Sequence, residues 1–137
     1  MHRCRSIMLF LGIVLCSLSG CWQSGGMILG EVTGTVTLDG KPLPDAMVSY
    51  YPEVGGRSAH GVTDAAGRYQ LRYTGSKDGA PVGAHRVKVE VGVQSGEGPP
   101  KKTAKIPPLP SKYNSESELT ADVQRGSNTI DFTLHSN

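Results

Sequence analysis

Strict alternation of residue type is the feature that most limits how this chain can fold. From residue 31 to 38, small or apolar residues occupy every second position and threonines fill three of the positions between them. From residue 86 to 93 the same pattern recurs, with valines alternating mainly with charged residues. Successive side chains of an extended strand point to opposite faces, so both segments are predicted to be half-buried β-strands.

Five further segments continue the pattern, and no stretch downstream of residue 30 shows helical periodicity. All seven predicted strands are short, and residues typical of turns separate most of them. Short alternating strands of this kind predict an all-β, seven-stranded antiparallel β-sandwich formed by residues 31–137. The segments lie at residues 31–38, 46–52, 58–63, 69–73, 86–93, 119–123 and 130–134.

One segment, residues 94–118, has no regular periodicity and is rich in proline. Loops of this length are usually functional or disordered. We expect an extended, partly polyproline-like excursion that returns to the sandwich through Ile106, Leu109 and Tyr113. Its tip carries a cluster of lysines, most simply a solvated loop but alternatively a contact with anionic headgroups or acidic wall polymer. These lysines are Lys101, Lys102 and Lys105.

The N-terminal residues have the three-part organisation of a secretory signal. His2, Arg3 and Arg5 precede an apolar run at residues 7–18, which is followed by two small residues and Cys21. The run is shorter than the ~20 residues that a membrane-spanning helix needs, which disfavours an uncleaved anchor. The block Leu18-Ser19-Gly20-Cys21 resembles a bacterial lipobox. This resemblance implies cleavage between Gly20 and Cys21, attachment of lipid to the Cys21 thiol, and a location in the cell envelope, periplasmic or outer-facing.

Removal of residues 1–20 would change both the charge and the thiol content of the chain. Arg3 and Arg5 account for the formal charge of +2, so 12 basic residues would face 12 acidic ones. This balance disfavours nucleic acid as a partner. Cys4 and Cys16 would be lost, and Cys21 would be linked to lipid, which leaves no free thiol. Residues 21–30 are predicted to form a glycine-rich tether with a span of roughly 16 Å.

Turn glycines and core positions recur along the chain in spaced motifs. These motifs are Gly34-x-Val36-Thr37-Leu38-Asp39-Gly40-Lys41-Pro42, Ala46-x-Val48-x-Tyr50-x-Pro52, Gly61-x-Thr63-Asp64-x-x-Gly67-x-Tyr69-x-Leu71, Gly83-x-His85-x-Val87-x-Val89 and Leu119-x-x-x-Val123-x-x-Gly126-x-Asn128-x-x-x-Phe132-x-Leu134. Together they resemble the carboxypeptidase regulatory-like domain. This resemblance implies a transthyretin-like (prealbumin-like) Greek-key sandwich that acts as a non-catalytic accessory or binding module. Short lipid-anchored versions also carry a proline-rich segment and an element similar to Lys112-Tyr113-Asn114.

His85 departs from the family pattern, which often has an aromatic residue at this position. His85 is in phase with the valines of the fifth predicted strand. It is therefore interpreted as a core residue at the end of that strand, with one ring nitrogen hydrogen-bonded. The alternative interpretation is a polar group at the rim of the sandwich that titrates near neutrality.

Signals for catalysis or metal binding are weak in this sequence. A transthyretin-like enzyme, hydroxyisourate hydrolase, uses a terminal Tyr-Arg-Gly-Ser, whereas here Arg125-Gly126-Ser127 follows Gln124 and precedes the last predicted strand. The tripeptide is therefore predicted to be a turn. His60, His85 and His135 lack the spacing of a metal-ligand set, and no sequence signal places a histidine beside a serine. We expect no catalytic residues, no metal and no cofactor.

Exposed aromatic residues offer one further candidate surface. Tyr51 is predicted to face outward, and together with Tyr113 it is a candidate aromatic platform for a sugar or peptide. The sequence thus predicts an envelope protein attached to a membrane through Cys21, whose single domain is a non-catalytic binding or structural module. Its expected partner is an envelope protein or cell-wall polymer. The alternatives are a carbohydrate- or peptide-binding module with a defined groove and, with less support, a hydrolase of the hydroxyisourate type.

Overall fold

The computed structural model describes residues 26–92 and 108–137. Regular structure in these ranges is almost entirely β-strand, which confirms the predicted all-β class, and one 3₁₀ turn spans Ser111–Tyr113. The strands are β1 (Leu29–Leu38), β2 (Lys41–Pro42), β3 (Ala46–Pro52), β4 (Ala59–Val62), β5 (Arg68–Gln70), β6 (Arg72–Thr74), β7 (Lys77–Asp78), β8 (Ala80–Pro81), β9 (Gly83–Val91), β10 (Thr120–Val123), β11 (Gly126–Thr129) and β12 (Phe132–Leu134).

Strand β1 organises the first sheet, in which every other strand pairs with it. Strands β2, β5 and β8 pair with β1 in antiparallel orientation. Strands β11 and β12 pair with β1 in parallel, with Val32 opposite Asn128 and Val36 opposite Phe132. Sheet 1 is therefore mixed rather than purely antiparallel, because the turn after β10 carries the chain from the other sheet to β1 instead of forming a hairpin.

Sheet 2 is antiparallel throughout and has the strand order β10-β9-β3-β4-β6-β7. Its longest pairing joins β3 and β9, from Ala46 opposite Val91 to Pro52 opposite His85. Alternate residues of both strands are buried, as the alternating sequence predicts. The residues between them point away from the core and form the outer face of the sheet.

The two sheets pack face to face around one apolar core. Tyr50 of sheet 2 contacts Phe132 of sheet 1 with ring centroids 6.3 Å apart, and its hydroxyl lies 3.0 Å from that of Tyr69. These contacts confirm a β-sandwich in the described ranges. The buried apolar residues are Val32, Val36, Leu38, Leu43, Ala46, Val48, Tyr50, Ala59, Tyr69, Leu71, Ala80, Val87, Val89, Leu109, Tyr113, Val123, Phe132 and Leu134.

The fourth predicted strand is divided between the two sheets at Leu71. Strand β5 pairs with β1 in sheet 1, whereas β6 pairs with β4 in sheet 2 through His60 and Arg72. The Leu71 amide donates a hydrogen bond to the Val32 carbonyl at 2.9 Å, and its side chain is fully buried. Burial of Leu71 between the layers lets one continuous alternating segment contribute to both sheets.

Ile130 and Asp131 interrupt the parallel pairing between β1 and the C-terminal strands. The Thr35 amide donates to Oδ1 of Asp131 at 2.8 Å, so a side chain replaces a main-chain acceptor. The Ile130 carbonyl accepts a 2.6 Å hydrogen bond from the Tyr69 hydroxyl. This carbonyl lies directly over Gly34, where an added Cβ would be 1.8 Å from the carbonyl oxygen. Position 34 therefore requires glycine, because the Cβ of any other residue would overlap the Ile130 carbonyl group.

Substitution of Gly34 tests this close approach. Gly34→Ala is expected to lower the free energy of unfolding by about 3 kcal/mol or more, because the added methyl group meets main chain that cannot rotate away. Urea unfolding of the purified protein measures the change. Gly75→Ala is the matched control, since a Cβ there meets nothing within 4 Å. Equal stability of the two variants would contradict the proposed packing.

Candidate functional site

The outer face of sheet 2 carries a compact polar surface. Pairing between strands places Ser49 opposite both Lys88 and His60, and His60 opposite Arg72. The neighbouring row places Tyr51 opposite Arg86. Directly paired residues share a face and lie close enough to interact. We name this surface the Tyr51 face and define it by Ser49, Tyr51, Ser58, His60, Arg72, Arg86 and Lys88.

Tyr51 is the aromatic centre of this face and remains 39% exposed. The Lys88 ammonium nitrogen lies 5.1 Å from the centroid of the Tyr51 ring, within the range of a cation–π interaction. The His60 ring meets Tyr51 edge to face, with centroids 6.4 Å apart and an interplanar angle of 84°. The tyrosine predicted from sequence as a surface contact is thus held between two basic side chains.

Serine hydroxyl groups hydrogen-bond to both ring nitrogens of His60 and so fix the orientation of the ring. Ser58 Oγ lies 2.9 Å from Nε2, and Ser49 Oγ lies 2.9 Å from Nδ1. A hydroxyl group can donate or accept, so the two serines can satisfy both ring nitrogens. Ser49 is only 1% exposed, whereas His60 is open to solvent. The arrangement fixes the ring with both nitrogens hydrogen-bonded, and no carboxylate in the described ranges contacts it.

The sequence did not predict this serine–histidine cluster, because the two residues meet only through the register in which β3 pairs with β4. Ser49 and His60 are 11 residues apart and belong to different strands. The available signal was that both residues occupy outward positions of consecutive predicted strands. Without the register of β3 on β4, that signal does not place them opposite one another.

The cations of the Tyr51 face differ in how their charges are balanced. Arg72 lies 3.6 Å from an Asp78 carboxylate oxygen. Arg86 and Lys88 form no ion pair with any residue in the two described ranges. The centre of the face therefore has positive charge available for a ligand.

A second candidate site is a groove on the outer face of sheet 1. It has a volume of about 380 Å³. Asp64 at its edge accepts hydrogen bonds from the amides of Arg68 and Ala66, each at 2.9 Å. The Arg68 amide, the Ala66 amide and the nearby Arg68 charge together hold the pKa of the Asp64 carboxyl below its usual range. The lining residues are Thr33, Gly34, Thr35, Asp64, Arg68, Tyr69, Gln70 and Thr129.

Tyr113 does not join Tyr51 in an aromatic platform, which corrects the prediction for this residue. It is 7% exposed and packs in the core, and its hydroxyl accepts a hydrogen bond from the His135 amide at 3.1 Å. Leu109 is buried with it, so both residues hold the returning loop against the sandwich, as predicted. Burial in the core leaves Tyr51 as the exposed member of the predicted pair.

His85 occupies a core position, as the first interpretation of the sequence predicts. It is 1% exposed, and its Nδ1 hydrogen-bonds to the Gly83 carbonyl oxygen at 2.9 Å. Its Nε2 is buried without a hydrogen-bond partner, and its ring lies 5.6 Å from the Tyr50 ring. Burial lowers the pKa of His85 below its ordinary value of 6.5. The residue is therefore neutral near pH 7.

The three histidines considered as metal ligands lie in different environments. His60 is on the outer face of sheet 2, His85 is in the core, and His135 follows β12, with Nδ1 4.0 Å from an Asp39 carboxylate oxygen. Within the described part of the chain, no three side chains of His, Cys, Asp or Glu are grouped as a metal site would require. Gly126 of the Arg125-Gly126-Ser127 tripeptide begins β11.

Several predicted sites fall outside the described residues. These are the cleavage and lipidation residues Gly20 and Cys21 and the lysines Lys101, Lys102 and Lys105. Ile106 also lies there. Among residues 26–92 and 108–137, no helix is long and apolar enough to cross a membrane.

Comparisons of the chain with models of protein families, with curated proteins and with solved structures give no match. Function is therefore argued from the residues and from the two surfaces described above.

The burial of His85 predicts a pH-dependent stability. Since its folded pKa is lowered, the unfolded chain binds more protons as the pH falls through 6.5. The free energy of unfolding should decrease between pH 7 and pH 5, with a slope of at most about 1.4 kcal/mol per pH unit from this residue. His85→Leu should remove this part of the slope in urea unfolding, while His60→Gln should retain it. An unchanged slope in His85→Leu would assign the effect to other groups.

Proposed function

We propose that this chain is a lipid-anchored protein of the bacterial cell envelope, whose β-sandwich is a non-catalytic binding or structural module. The observation that carries the proposal is the position of Cys21 in a lipobox-like block, eight residues before β1 begins at Leu29. Since β1 is the strand on which sheet 1 is built, this short connection would hold the domain close to the bilayer. The module would present its outer sheet faces to other envelope components.

The same proposal includes a transthyretin-like, seven-stranded Greek-key arrangement of the sandwich. Each of the seven predicted segments overlaps at least one strand of the described residues, which supports it. Gly67, a turn glycine of the motif, has φ +75°, a conformation that favours glycine. Of the additional strands, β2, β7 and β8 have two residues each and β11 has four.

A carbohydrate- or peptide-binding module is the second candidate function, and the groove on sheet 1 favours it. The side chains along the groove offer hydroxyl, amide and guanidinium groups, which suit a polar ligand. The tyrosine beneath the groove uses its hydroxyl to bind the Ile130 carbonyl and is buried. Recognition in this groove would therefore depend on hydrogen bonds rather than on aromatic stacking.

Lipid attachment can be tested on the full chain expressed in a bacterium. The intact mass of the membrane-extracted protein should equal that of residues 21–137 plus the lipid, because cleavage and acylation both occur at Cys21. Cys21→Ser should abolish the mass increase and release the protein from the membrane fraction. Cys16→Ser is the matched control, since it removes a thiol of the predicted signal. Full-length unmodified protein in both variants and in the wild type would refute the anchoring.

The groove can be tested by blocking it. Thr33→Trp should fill the groove and weaken binding of a responsive oligosaccharide or peptide by about tenfold or more, because the indole occupies the ligand volume. NMR titration with panels of neutral oligosaccharides and short peptides provides the measurement. Thr37→Trp is the matched control, because Thr37 lies on the same strand and face but does not line the groove. Equal weakening by both variants would assign binding elsewhere.

A further inference from the structure

We propose that the Tyr51 face is a binding site for an anionic polysaccharide. The face lies on sheet 2, whereas the groove considered above lies on sheet 1, so the two sites are separate. The inference does not depend on lipid attachment at Cys21. It follows from the charge, the aromatic ring and the hydrogen-bonding groups that strand pairing places together.

Positive charge at the centre of the face selects an anionic ligand. Arg86 is exposed and Lys88 is half-buried, and they are two residues apart on β9, so both point outward. Successive outward residues of a strand are about 7 Å apart, which allows the two cations to contact separate groups of one chain. Neither forms an ion pair within residues 26–92 or 108–137, so a ligand anion meets no internal competitor in these ranges.

The acidic residues near the face limit its extent. Glu90 lies one row beyond Lys88, opposite Met47, and Glu53 lies one row beyond Tyr51, where its amide donates to the Ala84 carbonyl at 3.0 Å. Asp78 is engaged with Arg72, and Asp122 accepts a 2.7 Å hydrogen bond from Gln124. The carboxylates therefore lie at the rim, and the available cations flank Tyr51.

The neutral groups of the face favour a sugar as the carrier of the negative charge. The partly exposed Tyr51 ring provides an apolar surface for the C–H groups of a sugar ring. The Ser58 hydroxyl, which lies 2.9 Å from Nε2 of His60, keeps further hydrogen-bonding capacity beside that ring. Hydroxyl groups of a saccharide suit these neighbours, and carboxylate or sulfate groups suit Arg86 and Lys88.

Two other anionic partners fit the face less well. The headgroup of an anionic phospholipid such as phosphatidylglycerol offers its charge to Arg86 and Lys88, but it has no sugar ring to lie against Tyr51. Single-stranded nucleic acid is usually bound through a series of stacked bases, whereas the two rings of this face, Tyr51 and His60, meet edge to face at 84° and do not form successive parallel platforms.

The test is binding of purified wild-type protein to alginate, a polyuronate, by isothermal titration calorimetry at low ionic strength. Dextran serves as the neutral polysaccharide. The protein should bind alginate and not dextran, and added salt should weaken the binding because exposed charges are screened. The double variant R86Q/K88Q should weaken alginate binding by about tenfold or more, since two charge-assisted contacts are lost. Tyr51→Ala should also weaken it.

The matched control is the double variant R125Q/K112Q, in which both residues lie outside the groove and outside the Tyr51 face. It removes the same two types of charge, and Lys112 lies 5.2 Å from the Tyr113 ring centroid as Lys88 lies over Tyr51. It should bind alginate as the wild type does. Thermal unfolding of each variant verifies that the fold is retained.

Three outcomes would overturn the inference. They are absence of alginate binding by the wild type, equal weakening in the two double variants, and tighter binding to phosphatidylglycerol vesicles or to single-stranded DNA than to alginate. The second outcome would mean that binding depends on total charge rather than on this face. The lipid-mass experiment on Cys21 gives its result independently of all three.

Discussion

The approach of the Ile130 carbonyl to Gly34 is the contact on which the arrangement of sheet 1 depends. At this point the C-terminal chain leaves the parallel ladder with β1, and only a residue without a Cβ leaves room for it. The two main-chain groups freed by the interruption are not left unpaired. The Asp131 carboxylate accepts from the Thr35 amide, and the Tyr69 hydroxyl donates to the Ile130 carbonyl. The ladder between β1 and the C-terminal strands is therefore interrupted while both of these main-chain groups keep a hydrogen-bond partner. A buried main-chain group without a partner would lower the stability of the fold.

The same interruption links the two layers of the sandwich. Because the Tyr69 hydroxyl gives its only proton to Ile130, the Tyr50 hydroxyl must be the donor in the 3.0 Å contact between the two tyrosines. Burial raises the pKa of Tyr50 to about 12 and also raises that of Tyr69, so both remain protonated and able to donate. A chain of two hydrogen bonds therefore runs from sheet 2 through the core to the irregular edge of sheet 1.

Local sequence pattern predicts the strands well and their partners poorly. The alternation of residues 46–52 and 86–93 identifies β3 and β9, since burial of every second side chain is a local property. The division at Leu71 and the parallel placement of β11 and β12 depend on contacts with residues far along the chain, which periodicity does not record. Turn residues after β10 fit a hairpin as well as the crossing to sheet 1 that the structure shows.

In the candidate site, too, the local pattern predicts single residues but not the partners that strand pairing gives them. Tyr51 could be selected from sequence because an outward aromatic residue is visible in the alternation, and His85 could be placed in the core from its phase. The partners of Tyr51 could not be selected, because Lys88 and His60 reach it only through the registers of β9 and β4 on β3. For Tyr113 the sequence allowed both a contact with the sandwich and an exposed platform, because the segment around it has no periodicity to indicate its burial.

Net charge and local charge lead to different conclusions about partners for this domain. The balance of 12 basic and 12 acidic residues after position 20 argues against a general attraction to polyanions. On sheet 1, however, Arg68 is neutralised by Asp64, at 3.5 Å, whereas Arg86 and Lys88 on sheet 2 have no such counter-ion among the described residues. On the Tyr51 face two such cations therefore lie together, beside an exposed ring. A domain that is neutral as a whole can in this way select an anion that also has a surface to stack on Tyr51, and reject one that offers charge alone.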